Sequence, residues 1–465
     1  MPGSLLHHNT YNLKSKLSLP NILYLKSEGF GMVHTYEEAV EWIHNRLQFG
    51  IKPGLERMQW MLARLENPER RIKCIHIAGT NGKGSTVTYI RSILQKADYT
   101  IGTFTSPYIE SFNERISINS IPISDEEIIQ LVSVVKPITE ELDETDLGAA
   151  TEFEVITVMA LYYFGKMNAV DLVLFEAGLG GRLDSTNVIH PVLTIITTIG
   201  FDHMRILGET LGEIAGEKAG IIKSGVPLVT GVKQFEALQV IKEQAERKRA
   251  KVYELDRDFS VEDIKSVKTG ESFSFQCPFG VYKNLSISMK GVHQVQNASV
   301  AVMAVKYLQT YLSFLIEEQH IRSGLQEAFW LGRFEQVAEN PSIIIDGAHN
   351  PEGIDSLVQT IRAHYSTSRI TIIFSALSDK PIEIMVGKLE EIASKMIFTT
   401  FDFPRAVSAK MLSTYGQLEN KEVFEDWKEG IVETIDNLGE NETLIITGSL
   451  YFISEVRKFI LSEKK

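Results

Sequence analysis

A chain of 465 residues is longer than one hydrophobic core comfortably organises, so two or three domains are expected. Its composition, 44% hydrophobic and 23% charged, is that of a soluble globular protein, and a net charge of −13 argues against a broad nucleic-acid-binding surface. Two cysteines, Cys74 and Cys277, argue against a disulfide framework or a cysteine-rich zinc site and favour a reducing, cytoplasmic compartment. No apolar run reaches the ~18 residues of a membrane span.

Residues 1–31 are polar and irregular and carry no signal-peptide core with a cleavage site; they read as a tail or a mis-set start ahead of Met32. Helical patterning begins at TYEEAVEWIHNRL. From residue 72 onward short β-rich runs alternate with longer helical patterns, which predicts a parallel α/β sheet. IKCIHIAG is a buried strand, STVTYIRSILQKA the helix after it, and TIGTFTS a second strand. DEEIIQLVSVV and EFEVITVMALYYFG are helices, followed by two more buried strands, DLVLFEAG and VLTIITTIG.

After residue 250 the texture changes. FSFQCPFGVYKNLSISMKG alternates between turn residues, as antiparallel strands do, and QNASVAVMAVKYLQTYL is a helix. Residues 327–340, with a Gly-Arg step, read as a connector. Beyond it PSIIIDGAHNPEGIDSLVQTIRAH gives strand, loop and helix; RITIIFSALSDKP, KMIFTTF and TLIITGS are strands, and LYFISEVRKFI closes the series as a helix. The expected division is a nucleotide-binding unit over 32–330, a linker at 331–335 and a smaller α/β unit over 336–465. A cleft between them is the default binding site.

HIAGTNGKGST, 76–86, joins a buried strand to a helix through a glycine-dense turn, the layout of a phosphate site. It is two residues shorter than the common G-x-x-x-x-G-K-[ST] loop. Backbone N–H groups and the helix N-terminus would face the anion, Lys83 the β/γ-phosphates, and Ser85 or Thr86 a phosphate or its Mg²⁺. LFEAGLGGRLDSTNVI, 174–189, sets Glu176 at the carboxyl end of a strand, where ligands of open α/β sheets collect. Gly178, Gly180, Gly181, Arg182, Asp184 and Asn187 follow; helix capping is the plainer role for that loop. Ser106, Glu154 and His203 also stand at element ends. A hydroxyl and a carboxylate suit Mg²⁺, whereas a lone histidine is more often structural. In IIIDGAHNP, 343–351, Asp346, His349 and Asn350 would face the cleft, with Asn350 serving equally as a helix N-cap ahead of Pro351.

In this order the motifs AGTNGKGS, FEAGLGGRLDSTN and DGAHNP resemble those of the folylpolyglutamate and dihydrofolate synthases, within the Mur-type ATP-dependent amide ligases. The resemblance runs from about Thr35 to the C-terminus, and the short loop is that family's own phosphate loop. It implies a Mur-ligase-like P-loop ATPase unit with a parallel sheet, plus a smaller Rossmann-like C-terminal α/β unit. It implies an enzyme joining L-glutamate to the carboxylate of a folate or of dihydropteroate, with ATP as co-substrate.

The same resemblance implies two Mg²⁺ ions, room for a monovalent cation and a monomer, while the acidic charge and the absence of a long apolar run point away from nucleic-acid and membrane partners. Carried over by motif, Gly79, Thr80, Asn81, Gly82, Lys83, Gly84 and Ser85 would hold the phosphates, with Asn297, Arg333 and Asp346 as further ATP contacts. Ser106, Glu154 and His203 would be Mg²⁺ ligands. Lys218 matches a lysine carboxylated by CO₂; a plain helix-surface lysine is its other reading. Lys83, Lys218 and His349 would stand at the reacting centre, His349 without an assigned proton transfer. The family's TSP motif often continues with histidine, and here Tyr108 follows. A peptidoglycan-precursor ligase shares the architecture but fits GLGGRLDSTN less well, and a switch ATPase would make no amide product.

Overall fold

The buried run CIHIA becomes a central strand of an eight-stranded sheet. The structure, a computed structural model, describes residues 33–462; the tail expected over 1–31 lies outside them. The strands of this sheet are β1 (Cys74–Ala78), β2 (Ile101–Phe104), β3 (Ile116–Ile118), β4 (Ile121–Pro122), β5 (Leu172–Glu176), β6 (Leu193–Ile196), β7 (Leu228–Thr230) and β8 (Val252–Glu254). Their order is β4-β3-β2-β5-β1-β6-β7-β8, parallel except for the antiparallel β3 and β4 at one edge. All five residues of β1 and of β5 are buried, as expected for parallel strands covered on both faces. Ile75 and Ile77 face one layer, where the helices Lys83–Lys96 and Val292–Tyr311 pack; Cys74, His76 and Ala78 face the other.

Because β5 and β6 flank β1 on opposite sides, the chain reverses direction across the sheet at β1. The carboxyl ends of these three strands form the crevice where an open α/β sheet binds ligands. The loops that leave them, near residues 79–82, 177–187 and 197–203, carry most of the motif residues.

An antiparallel three-stranded sheet follows: β9 (Ser260–Val267), β10 (Gly270–Cys277) and β11 (Gly280–Ile287). Phe273, Phe275, Leu285 and Ile287 share one core with the helix Val292–Tyr311 and β1. The last sheet has the order β12-β13-β17-β14-β15-β16, built from β12 (Glu335–Ala338), β13 (Ser342–Ile345), β14 (Arg369–Phe374), β15 (Lys395–Thr399), β16 (Lys421–Phe424) and β17 (Glu442–Thr447). It is parallel apart from β12. Ile344, Ile372, Phe374 and Ile445 fill one face, and Ile343, Ile345, Ile373 and Ile446 the other, the period-two pattern of a sheet covered on both sides.

Two expectations need correction. Residues 335–338 lie in the stretch read as a connector, yet they form β12, a short edge strand whose bulge between Gln336 and Ala338 hides its alternation. The helix read as ending at Val135 runs through Pro137 to Asp143, because Thr139 and Leu142 bury on its inner face. That packing outweighs the proline's cost.

Candidate active site

The crevice of the first sheet opens onto a cavity of about 1340 Å³ whose opposite wall comes from the carboxyl ends of β13, β14 and β17. The phosphate loop forms its floor. Thr80 N–H donates to Thr198 O at 2.9 Å, Asn81 N–H to Thr198 Oγ1 at 3.0 Å, and the Thr197 and Thr198 hydroxyls donate to Asn81 O at 2.6 and 3.0 Å. So the loop after β1 is fastened to the loop after β6. A Cβ at Gly79 would lie 1.9 Å from Thr197 Oγ1, and one at Gly82, where φ is +83°, would lie 2.2 Å from Asn297 Oδ1. These contacts explain why the turn is compressed and glycine-dense.

Lys83 opens the helix Lys83–Lys96; its Nζ donates to Gly79 O at 2.9 Å and Thr80 O at 3.2 Å and lies 4.0 Å from Glu176 Oε1. Gly84 and Ser85 line the cavity, and Gln294 Nε2 donates to Ser85 Oγ at 3.3 Å; Thr86 is fully buried and does not line it. Asn297 is held by its Nδ2 donating to Gln294 Oε1 at 3.2 Å.

The three expected metal ligands do not share one place. Ser106 and His203 line the cavity, but Glu154, 1% exposed, does not. Its carboxylate accepts from Arg57 Nε at 2.9 and 3.1 Å and from Thr151 N–H at 2.8 Å, while Thr151 Oγ1 accepts from Glu154 N–H at 3.2 Å. This is the capping box of the helix Glu152–Tyr162, reinforced by a buried ion pair. The acid in the cavity is Glu176, 5% exposed, whose Oε2 accepts from Ser106 N–H at 3.4 Å. Burial raises its pKa above the ordinary carboxylate value, against the opposing charge of Lys83.

Both contacts to Glu176 are long, so its charge is only partly met, and a divalent cation fits beside it. His203 offers an imidazole whose pKa partial desolvation lowers, against the pull of Asp202, although its side chain is still 38% exposed. Its backbone sits in the left-handed region at φ +51°. Among the described residues no three His, Cys, Asp or Glu side chains form a metal-holding group. The Ser106 hydroxyl and the Glu176 carboxylate are nevertheless oxygen donors of the kind Mg²⁺ accepts, with phosphate oxygens and water to complete the set, and His203 lines the same cavity.

Lys218 is no surface lysine. It is 4% exposed, lines the cavity, and donates from Nζ to Gly79 O at 3.2 Å. Burial, helped by the charge of Lys83, lowers its amine to about 7, so an uncharged, nucleophilic amine is populated near neutrality. Asp184 faces the same region, buried, with Leu179 N–H donating to Oδ2 at 2.8 Å and Thr186 N–H to Oδ1 at 3.0 Å. The Thr186 hydroxyl also donates to Asp184 and lies 2.8 Å from His76 Nε2, a buried relay that ties the 177–187 loop to β1. Asn187 Nδ2 bonds Arg182 O and Gly220 O, and Arg182 pairs with Glu217 at the rim.

The opposite wall supplies Arg333, Asp346 and His349. Asp346 takes N–H bonds from Phe334 (2.8 Å) and Ala348 (2.9 Å), and burial raises its pKa despite the nearby Arg333. Arg333 is half-buried, with Nη1 3.4 Å from Gly347 O. Asn350 is the N-cap, as expected, with its Oδ1 accepting Gly353 N–H at 2.8 Å and Pro351 at the first helical position, but it is fully buried and does not line the cavity. Its amide also pairs reciprocally with that of Asn81, at 3.0 Å in each direction.

Asp202 joins the two walls, a role the sequence did not reveal. It accepts from Lys380 Nζ at 2.5 Å and from Asn350 Nδ2 at 3.4 Å, and lies 3.5 Å from His349 Nε2. Burial opposes its ionisation, but His349, Lys380 and His203 hold it well below the usual carboxylate range. Lys380 belongs to ALSDKP, which carries no motif beyond its place after a strand. That place, a polar loop at a carboxyl end, was the available signal.

Comparison with known proteins follows the same division. Residues 77–305 match the Mur ligase middle domain, and residues 332–450 the Mur ligase glutamate ligase domain. A dihydrofolate synthase/folylpolyglutamate synthase of Bacillus subtilis (strain 168) is 51% identical over 92% of this chain and 99% of its own length. A folylpolyglutamate synthase of Lacticaseibacillus casei is 34% identical, covering 92% of this chain and 99% of its own. Among solved structures, folylpolyglutamate synthase of Thermotoga maritima superposes with a TM-score of 0.80 at 36% identity, over 92% of this chain and 97% of that one. The Mycobacterium tuberculosis folylpolyglutamate synthase complexed with ADP and AMPPCP gives 0.85 at 28%, over 91% and 99%. This chain belongs to the folylpolyglutamate/dihydrofolate synthase family of ATP-dependent Mur ligases.

Proposed function

We propose that the protein joins the amine of L-glutamate to the carboxylate of a folate acceptor, tetrahydrofolate or its polyglutamates, with ATP converted to ADP and phosphate. The observation that carries this reading is the meeting of a phosphate loop, Glu176 and the buried Lys218 with Arg333, His349 and Lys380 of the opposite sheet in one cleft. The Bacillus relative, dihydrofolate synthase/folylpolyglutamate synthase, makes dihydropteroate the second acceptor to test. We take residues 33–330 and 336–462 as two domains hinged at 331–335, acting as a cytoplasmic monomer.

A carboxylate is a poor electrophile, so it must first be activated. An acceptor oxygen attacks the γ-phosphorus and ADP leaves, giving an acyl phosphate; the amine then attacks the acyl carbon, loses a proton, and phosphate departs. The loop 79–85 holds the phosphates by backbone N–H groups, and Lys83 turns from its loop carbonyls to the oxygens that gain charge. Ser106, Glu176 and His203 would hold Mg²⁺, two ions being proposed for the cleft, which supplies positive charge against the transferring phosphoryl group. Lys218, with an amine near neutrality, can take up CO₂ as a carbamate and so become an anion. The Asp202–Lys380 and Asn81–Asn350 links close the two walls over the intermediate and exclude water.

The test offers ATP, Mg²⁺ and glutamate with tetrahydrofolate or dihydropteroate in turn and reads products by mass spectrometry. An added glutamyl unit is expected, and is expected to vanish in Lys83→Ala. No product with either acceptor, from protein that binds ATP, overturns the reading.

A further inference from the structure

Arg115 closes the short turn Phe112–Arg115 on the wall of the cleft and is 9% exposed. Its guanidinium lies over the rings of Tyr108 and Phe112, 5.3 and 5.8 Å from their centroids. Among the described residues no carboxylate pairs with it, and its buried Nε has no hydrogen-bond partner. Two of the nearby acids are occupied, and the third, Glu152, forms no pair with Arg115. Glu114 accepts the N–H groups of Ile109, Glu110 and Ser111 at 2.7–2.9 Å, and Glu110 pairs with Arg457. Glu152 faces His44 at 3.9 Å.

Most other cations of the cleft are partnered, and Arg205 and Arg333, which pair with no carboxylate among the described residues, are less buried than Arg115. Lys83 lies by Glu176, Lys380 bonds Asp202, Arg405 bonds Asp379, and Lys52 donates to Ala149 O. Arg115 is therefore a desolvated cation, fixed between aromatic faces, whose counter-charge is not supplied by its own described neighbours. Burial without a counter-charge is costly, and the planar fork matches a carboxylate.

We infer that Arg115 receives a substrate carboxylate other than the one that reacts. This rests on the ligase reading above. Two substrates carry that chemistry: the acceptor, through the α-carboxylate of its terminal glutamyl residue, and the incoming glutamate, through its own carboxylates. Dihydropteroate has only the reacting carboxylate, so an acceptor-side contact would make Arg115 a selector for elongation.

Full-length wild type, Arg115→Met and Arg115→Lys are compared in initial-rate assays that vary ATP, glutamate and tetrahydrofolate separately. In Arg115→Met the KM for one carboxylate substrate should rise about thirtyfold or more, with the KM for ATP unmoved. Arg115→Lys should recover part of the loss. A rise for tetrahydrofolate with dihydropteroate spared assigns the acceptor's α-carboxylate; a rise for glutamate assigns the incoming amino acid. Amidating the assigned carboxylate should weaken the wild type by a similar factor and Arg115→Met no further. The wild-type and Arg115→Lys arms stand even if Arg115→Met does not fold. An active wild type whose variants keep both KM values, or an amide analogue that weakens wild type and variants equally, overturns the inference. A wild type that makes no product overturns the ligase reading and this inference with it.

Discussion

Replacing Glu154 and Glu176 by glutamine in turn should give opposite results, because one glutamate belongs to the framework and the other to the chemistry. Glu154→Gln keeps a side-chain amide that can still accept the N-cap bond from Thr151, so the capping box survives. What it loses is the charge opposite Arg57, whose side chain is 12% exposed against 1% for Glu154. Breaking a buried pair by removing one partner costs about 3 kcal/mol at the lower end of the usual range, and Arg57's bond to Lys52 O at 2.9 Å places this pair there.

Glu176→Gln has the reverse sign. Its folded pKa lies above the ordinary value of 4.5, so its ionisation removes stability as pH rises past 4.5. A neutral amide avoids that loss, and the variant should be at least as stable as wild type at pH 7. Urea titration with initial rates over a range of Mg²⁺ concentrations separates the two. Glu154→Gln should unfold earlier and keep its Mg²⁺ dependence; Glu176→Gln should unfold no earlier and need far more Mg²⁺, or lose turnover. A stable Glu154→Gln protein with altered Mg²⁺ dependence would refute this reasoning.

Other outcomes follow from the same geometry. The amine of Lys218 is near 7 in the fold against 10.5 when free, so stability should rise between those pH values as the unfolded chain releases its proton. Lys218→Met should flatten that rise in pH-dependent urea titrations and be inactive; an unchanged slope would count against a buried amine. Wild-type turnover should fall in CO₂-free buffer and recover with bicarbonate, and indifference to bicarbonate would remove the carbamate. Gly82→Ala, forced into a left-handed backbone with its Cβ 2.2 Å from Asn297 Oδ1, should raise the KM for ATP about tenfold or more, read by initial rates. Asn350→Asp keeps the N-cap but loses the donor to Asn81 and sets a charge beside Asp202. Because that position is fully buried, the variant should lower the melting temperature as well as turnover, whereas full activity would show that the amide pair does not matter.

What the sequence revealed depends on where the information resides. β1, β5 and β6 are continuous apolar runs that end in glycine or polar loops, so both the strands and their active ends were legible. SVEDIKSV, which forms β9, was missed because residues 262–267 are exposed and carry little apolar signal. The helix read over DEEIIQLVSVV runs eight residues further, through Pro137, because Thr139 and Leu142 are buried on its inner face. Glu154 shows what a motif match leaves out: Thr151-x-x-Glu154 is a capping-box signature that the reading did not use, and the structure commits the side chain to that cap and to Arg57. Three-dimensional facts escaped altogether. No pattern tells that Asp202 bridges two walls, that Lys218 is buried, or that Arg115 lacks a counter-charge, since each depends on which loops converge.

The most direct measurement is the fate of oxygen in the activated carboxylate. Tetrahydrofolate labelled with oxygen-18 in its terminal carboxylate is turned over with ATP, Mg²⁺ and glutamate, and the released phosphate is analysed by mass spectrometry. The account predicts one labelled oxygen in each phosphate released, carried from the acyl phosphate. Unlabelled phosphate alongside glutamylated product would contradict activation through an acyl phosphate in this cleft.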